Sequence, residues 1–326
     1  MSKILVTGGA GFIGSNLVEM LLQRSSPDEN FEIKVLDILT YAGNPDNLPS
    51  SPLVTLIVGD VRNQELVDEL VASVDCVYHL AAESHVDRSI ESSRIFIDTN
   101  VFGTLNILEA VRKHNKRLVL VSTDEVYGSI EKGLANENTK LNPSSPYSAS
   151  KAASDLLAIS YHETFGTDVV ITRCANNYGP KQYPEKLIPL IISKALAGEK
   201  LPIYGDGTNV RDWIHVDDHC DGLILAMNSG KSGEIYNFGD IEHVRNIDLV
   251  KKILSHLEIS EDLIEFVPDR LGHDFRYAIT SEKARLELQW QPTRKLEFNL
   301  GETINYYRDS NSRLKHQSIS HSDAEN

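Results

Sequence analysis

Positive charge, cysteine and long apolar runs are all scarce in this chain of 326 residues. Lysine and arginine number 32 against 47 aspartates and glutamates, a formal net charge of -15 at pH 7. So acidic a surface repels nucleic acid and anionic membrane, which argues against a polyanionic partner. An anionic small molecule remains compatible if local cations hold it. The three cysteines, Cys76, Cys174 and Cys220, are an odd number without metal-ligand spacing. They read as free thiols of a reducing cytoplasm, and none stands in a setting that would make it a nucleophile. No apolar stretch approaches the roughly 18–20 residues of a membrane span, and Met1-Ser2-Lys3 runs straight into the strand-like Ile4-Leu5-Val6 rather than into a leader. What is present is a hydrophobic content of 41%, enough for a real core in one large or two modest domains.

The first half alternates short β-branched runs with helical patterns. Strands are predicted at Lys3 to Thr7, Glu32 to Leu36, Val54 to Val58, Cys76 to Leu80, Leu118 to Ser122 and Val169 to Arg173. Helices are predicted at Phe12 to Gln23, Glu65 to Ala72, Phe96 to His114 and Tyr147 to Phe165. Such alternation specifies an α/β fold with a parallel sheet covered on both faces. Beyond about residue 175 the pattern loses regularity, with Pro180, Pro184, Pro189 and Pro202 as punctuation. The expected organisation is a nucleotide-binding domain over 1–175 and a smaller α/β substrate lobe over 176–309, with later segments returning to the first. Residues 310–326 are polar and aperiodic, and are expected to be a disordered tail.

Thr7-Gly8-Gly9-Ala10-Gly11-Phe12-Ile13-Gly14 follows the first strand and opens the first helix. Gly8, Gly11 and Gly14 suit a tight turn, close approach of backbone to a pyrophosphate, and close helix–strand packing. The helix N-terminus then faces an anion. Asp37, at the end of the second strand, can accept both hydroxyls of a ribose and would repel a 2′-phosphate, which favours NAD over NADP. Asp60-Val61 and Leu80-Ala81-Ala82 fall at the next two strand ends, where side chain and backbone can meet the same ligand. The pattern is that of a Rossmann-type doubly wound sheet.

Tyr147-Ser148-Ala149-Ser150-Lys151 puts Tyr and Lys at i and i+4, on one helical face, just after Pro146 at a helix start. An ammonium beside a phenol is expected to lower the tyrosine pKa and suit it to take a proton from a sugar alcohol. Alone, this spacing is common on exposed helices. Combined with a Rossmann half and a strand ending in Ser122-Thr123, it resembles the extended short-chain dehydrogenase/reductase superfamily, over roughly residues 3 to 308.

Thr123-Asp124-Glu125 adds two adjacent carboxyls at a strand end, which an elimination needs as acid and base. This triplet is similar to that of the nucleotide-sugar 4,6-dehydratases. Asp37-Ile38-Leu39-Thr40-Tyr41-Ala42-Gly43-Asn44, Ala81-Ala82-Glu83-Ser84-His85-Val86-Asp87-Arg88, Arg173-Cys174-Ala175-Asn176-Asn177-Tyr178-Gly179-Pro180, Tyr183 to Pro189, Tyr204 to Trp213 and Asp269 to Asp274 resemble the dTDP-glucose 4,6-dehydratases in particular. That resemblance implies catalytic roles for Thr123, Asp124, Glu125, Tyr147 and Lys151. It implies NAD contacts at Gly8, Gly11, Phe12, Ile13, Gly14, Asp37, Thr40, Asp60, Val61, Leu80, Ala81, Ala82, Thr99, Tyr147, Lys151 and Asn177. Substrate contacts are implied at Ser84, Thr123, Asn176, Lys186, Leu187, Arg211, Asn246, Arg270 and His273, with Pro202, Ile203 and Tyr204 flanking the nucleotide base. Lys186, Arg211 and Arg270 are the local cations that a diphosphate needs inside an acidic protein. The histidines make no metal spacing, and no metal is expected. Phe275, Leu271 and His243 depart from the family pattern, all within the substrate lobe.

The implied reaction is oxidation of the sugar at C-4, loss of water across C-5 and C-6, and reduction at C-6. A UDP-sugar 4,6-dehydratase, a 4-epimerase, a uronic-acid decarboxylase and a non-catalytic NAD sensor are the alternatives. Apolar residues on more than one face of Asn100 to Lys113 and Ser150 to Phe165 leave two readings, burial within one subunit or pairing in a homodimer. The resemblance favours the homodimer.

Overall fold

The computed structural model describes residues 2–24 and 31–322, with side chains up to residue 309. In chain order the strands are β1 (Ser2–Thr7), β2 (Phe31–Asp37), β3 (Val54–Val58), β4 (Cys76–His79), β5 (Arg117–Thr123), β6 (Val169–Cys174), β7 (Asn176–Tyr178), β8 (Leu201–Tyr204), β9 (Val210–His215), β10 (Ile235–Phe238), β11 (His243–Arg245) and β12 (Ile264–Val267). Seven form one sheet in the order β10-β6-β5-β4-β1-β2-β3. Every pair in it is parallel. β3, β5 and β6 are rich in Val, Ile and Leu, as strands covered on both faces require.

The longer helices are α1 (Phe12–Gln23), α2 (Gln64–Ala72), α3 (Gly103–His114), α4 (Pro146–Phe165), α5 (Leu187–Ala197), α6 (Val216–Ser229), α7 (Asn246–Leu257) and α8 (Leu296–Ser322). One core lies on the α1 and α6 face of the sheet and draws in Val216, Cys220, Leu223, Tyr236, Phe238, Ile279 and Trp290 from late in the chain. A second lies under α2, α3 and α4, around Leu70, Ile107, Val111, Leu118 and Ala158. The smaller lobe has its own core of Tyr178, Ile188, Ile191, Trp213, Leu249, Ile253, Leu296 and Ile304. Two small sheets belong to it, β11-β9-β7 and β12-β8.

The chain passes from β3 at one edge to β4, on the other side of β1. The strand order therefore reverses between β1 and β4, and a crevice opens there above the carboxyl ends, where ligands of open α/β sheets bind. The residue pairings Thr7–Leu36 and Thr7–His79 bring the ends of β1, β2 and β4 level with one another.

Two segments differ from the sequence reading. Phe96 to His114 is not one α-helix: a short turn at Arg94–Phe96 passes into a π-helical turn at Ile97–Phe102 before α3 begins. The π-turn is held from α4, where Ser154 Oγ donates to the Asn100 carbonyl at 2.7 Å and Ser150 Oγ accepts from the Asn100 amide at 2.8 Å, with a local bond from Thr104 Oγ1 to the same carbonyl at 2.6 Å. Such turns often mark functional positions. The second difference is α8, which continues to Ser322 through a segment expected to lack order. Residues 310–322 contain no Gly or Pro, and extending a helix costs less than starting one. Residues 323–326 lie outside the described residues.

Candidate active site

Gly8 ends the first turn at φ +69, and a Cβ there would lie 2.7 Å from the Ala81 nitrogen, so no larger residue fits between β1 and the chain leaving β4. At Gly14 a Cβ would collide with the Gly8 carbonyl, which is the close helix–turn packing expected of the third glycine. α1 begins at N-cap Gly11 with no side-chain cap and no acid in its first turn. Its leading N–H groups and positive dipole end are thus left for an anion. Asp37 closes β2; one carboxylate oxygen accepts from Ala10 N at 3.0 Å and the other from Leu39 N at 2.9 Å.

A cavity of about 380 Å³ runs from this turn along the strand ends. Every expected cofactor position lines it: Gly8, Gly11, Phe12, Ile13, Gly14, Asp37, Thr40, Asp60, Val61, Leu80, Ala81, Ala82, Thr99, Tyr147, Lys151 and Asn177. So do Ser84, Thr123, Asp124, Glu125, Asn176, Lys186 and Leu187. Asn177 is fixed in the wall, since its amide donates to the Ala175 carbonyl at 3.0 Å and its oxygen meets His219 Nδ1 at 2.9 Å.

The other substrate candidates form an adjoining wall. Tyr204 donates to Asp87 at 3.2 Å, Arg270 lies 3.6 Å from the same carboxylate, and the His273 ring packs edge-on to Tyr204 at 6.1 Å. Arg211 donates to the Asp274 carbonyl at 2.9 Å and stacks on Tyr277 at 4.3 Å. Pro202 is half-buried beside them. Ile203 turns its side chain into the lobe core, leaving only its backbone free to face a ligand. Asn246 opens α7 with its Oδ1 buried and unpartnered.

α4 starts at Pro146 behind a capping box in which Ser145 and Ser148 bond reciprocally, and this places Tyr147 in the first helical turn. Tyr147 is buried and hydrogen-bonded to Thr123. Lys151 does not lower its pKa as expected. The ammonium is turned to the Val121 carbonyl at 2.7 Å, and burial lowers its own pKa. Tyr147 is instead held well above the usual phenol range by burial and by Glu125.

Thr123 caps the turn that carries the two carboxyls, accepting from Glu125 N at 3.3 Å. Asp124 is pushed well above the usual carboxylate range by burial, then by Glu125 and Asp212. Glu125 is raised by burial too, but Arg270, Lys186 and Arg211 all act on it in the opposite direction. Several buried polar atoms around them lack an internal partner: Ser122 Oγ, Asp124 Oδ2, Asn176 Oδ1, Gln182 Oε1 and Arg270 Nε. Native interiors rarely leave so many, and a polar ligand among these groups would satisfy them.

Residues 5–303 match the GDP-mannose 4,6 dehydratase family. The chain belongs to that family. A dTDP-glucose 4,6-dehydratase of Streptomyces antibioticus is 50% identical over 311 residues, covering 94% of this chain and 93% of that protein. The crystal structure of DesIV, a dTDP-glucose 4,6-dehydratase of Streptomyces venezuelae solved with NAD bound, is 47% identical, with a TM-score of 0.92 over 94% of this chain and 97% of that one. A UDP-glucose 4-epimerase of Thermotoga maritima shares the architecture at 29% identity, with a TM-score of 0.88 over 94% of this chain and 99% of that one. Membership in the family accounts for the shared architecture, and the site itself holds more than the sequence indicated. Tyr277 donates to Asp274 at 2.8 Å and reaches Glu125 at 3.4 Å. Gln182, Tyr183 and Trp213 line the cavity. Asn100 accepts from Glu83 N at 2.8 Å and donates to its carbonyl at 3.0 Å, fixing the chain beyond β4. Tyr183 and Trp213 fall within segments already singled out by resemblance, and Asn100 carried a local signal as a polar residue within a helical pattern; Tyr277 and Gln182 carried none.

Proposed function

We propose that the chain is an NAD-dependent dTDP-glucose 4,6-dehydratase, a hydro-lyase forming dTDP-4-keto-6-deoxy-glucose. The observation that carries this reading is the pair of neighbouring carboxyls with unlike surroundings. Burial raises both; Asp124 is pushed further up by Glu125 and Asp212, whereas Arg270, Lys186 and Arg211 draw Glu125 back toward its ionised form. Environments that push two carboxyls apart assign an acid and a base.

The cavity fits the cofactor. The glycine turn leaves room for a pyrophosphate, the uncapped start of α1 complements its charge, and Asp37 stands where a ribose is read. NAD held by these residues would supply the hydride acceptor for oxidation at C-4 and the hydride donor for reduction at C-6. Tyr147 stands to take the proton of the 4-hydroxyl once it has lost its own, a loss that burial and Glu125 oppose and that a positively charged nicotinamide beside it would favour. The proton it gains equals the one Asp124 gives up in the elimination, and passes back to Asp124 before the next turnover. With a carbonyl at C-4, the C-5 proton is acidified. Glu125 removes that proton while Asp124 gives its own to the C-6 hydroxyl, which leaves as water. Glu125 then returns a proton to C-5. Lys186, Arg211 and Arg270 hold the diphosphate. A 4-epimerase shares the first of these steps but has no use for an acid and a base beside Thr123.

The protein acts as a homodimer paired through α3 and α4. Those helices are not wholly buried: Phe102, just before α3, and Leu156 and Phe165 on α4 are each more than half exposed. The enzyme works in the cytoplasm. No described helix is long and apolar enough to cross a membrane, and the three cysteines are free.

Incubation with dTDP-glucose tests the reading by product mass. Loss of water supports it, an unchanged mass points to an epimerase, and loss of carbon dioxide from a uronic acid points to a decarboxylase. UDP-glucose run in parallel reads the nucleotide preference.

A further inference from the structure

Behind the cavity, a buried polar chain joins the two halves of the site. Arg173 on β6 donates from Nε to Asp155 on α4 at 2.8 Å, with both side chains almost fully out of solvent. Its Nη1 donates to the Tyr127 hydroxyl at 2.8 Å, which in turn donates to Asn237 Oδ1 on β10 at 2.9 Å. The guanidinium also lies 4.9 Å from the centre of the Tyr127 ring. None of these four residues lines the cavity.

Burying an ion pair is a poor route to stability, because desolvation offsets the attraction and apolar residues of similar volume do as well. What the pair supplies here is geometry. Tyr127 is the last residue of the 3-10 turn Asp124–Tyr127, so its hydroxyl anchors the turn that carries both carboxyls. Gly128 follows at φ +70 and reverses the chain, so no continuing strand holds that turn in place. Asp155 stands one helical turn beyond Lys151, on the helix that also carries Tyr147. Residue pairing sets Arg173 between Ser122 of β5 and Asn237 of β10. A single guanidinium thereby ties the carboxyl-bearing turn to the helix that carries the tyrosine.

We propose that Tyr127, Arg173 and Asp155 form a positioning brace for the elimination step, fixing the Asp124–Glu125 turn relative to α4. The inference rests on the dehydratase reading above. Removing the Tyr127 hydroxyl frees the turn but leaves Tyr147, Lys151 and Thr123 in place. Elimination therefore slows while oxidation at C-4 persists.

The test compares Tyr127→Phe holoenzyme with wild type in single turnovers on dTDP-glucose. Near-ultraviolet absorbance of the reduced cofactor follows oxidation, and deuterium entry at C-5 from heavy water follows proton removal. The expected result is oxidation within about twofold of wild type and C-5 exchange slowed at least about tenfold, the scale on which small misplacements act, with KM unchanged. Equal slowing of both steps, or unslowed C-5 exchange, overturns the brace. Asn237→Ala withdraws the acceptor of the Tyr127 hydroxyl, along with a long 3.5 Å bond to the Ala135 carbonyl, and is read by the same ratio with the same two outcomes, should Tyr127→Phe fail to fold. A wild-type protein that releases no water from the sugar overturns the dehydratase reading itself, which separates that failure from the brace's own.

Discussion

Asp124 and Glu125 are adjacent in the chain and both raised by burial, yet their charged neighbours differ: Glu125 and Asp212 push Asp124 further up, whereas Arg270 and Lys186, together with the Arg211 that also acts on Asp124, draw Glu125 down. In Asp124→Asn with Glu125→Gln, oxidation at C-4 should survive, since Tyr147 and Thr123 are untouched. Elimination should fail, because the amides neither give nor take a proton. Reduced cofactor should accumulate on the protein with little 4-keto-6-deoxy product. Product formation at the wild-type rate would remove both assignments. The two substitutions need not add, because both residues serve one step.

The same pair links activity and stability to pH with opposite signs. Glu125 must be ionised to act and its pKa is raised, so kcat should fall on the acid side through a value above the ordinary carboxylate range of about 4. Asp124 binds its proton more tightly folded than unfolded, so its contribution to stability is complete below the unfolded pKa of about 4 and is lost as pH rises toward its folded value. Asp124→Asn should therefore raise stability at neutral pH by about 0.5–2 kcal/mol, the usual size of a stabilising change, with the gain vanishing below about pH 4. Thermal melts across pH read this directly; a loss of stability at pH 7 contradicts it.

Tyr147→Phe should leave nucleotide-sugar binding nearly unchanged and lower turnover by roughly a hundred- to ten-thousandfold, the range for losing a positioned base. Calorimetric binding beside a turnover assay separates the two. Near wild-type turnover would shift the base role to Thr123, which shares a hydrogen bond with Tyr147.

Protein as purified should carry NAD, and added NADP should not displace it. Both Asp37 oxygens are already anchored to backbone N–H groups, so the carboxylate cannot swing away from an added phosphate. Mass measurement of the extracted cofactor decides; finding mainly NADP would overturn the role of Asp37.

Leu156→Asp with Phe165→Asp should convert a dimer to monomers without unfolding, since both residues are more than half exposed in the single subunit. Light scattering of the wild type near 36.3 kDa would count against the dimer.

Much of this architecture was legible in the chain because it follows local rules. The β-branched runs and helical patterns located β1 to β6 and α1, α2 and α4, and the glycines marked a turn where a Cβ collides with backbone. The π-turn was not legible, because what holds it is Ser154 on another helix. Tyr277 was equally hidden: its partner Glu125 lies 152 residues away, and no spacing rule spans that distance. Nor could sequence show that Lys151 faces the Val121 carbonyl, a direction set by packing against β5.

The placement of β10 has a consequence for biosynthesis. A chain leaving the ribosome N-terminus first can pair β1 through β6 once Cys174 has emerged, yet β6 then remains a bare edge until Ile235–Phe238 arrives to cover it. Such an edge is a template for pairing with other nascent chains. Through that interval the catalytic turn also lacks Asn237, the acceptor of the Tyr127 hydroxyl. A chain truncated before β10 should therefore aggregate rather than persist as a nucleotide-binding half.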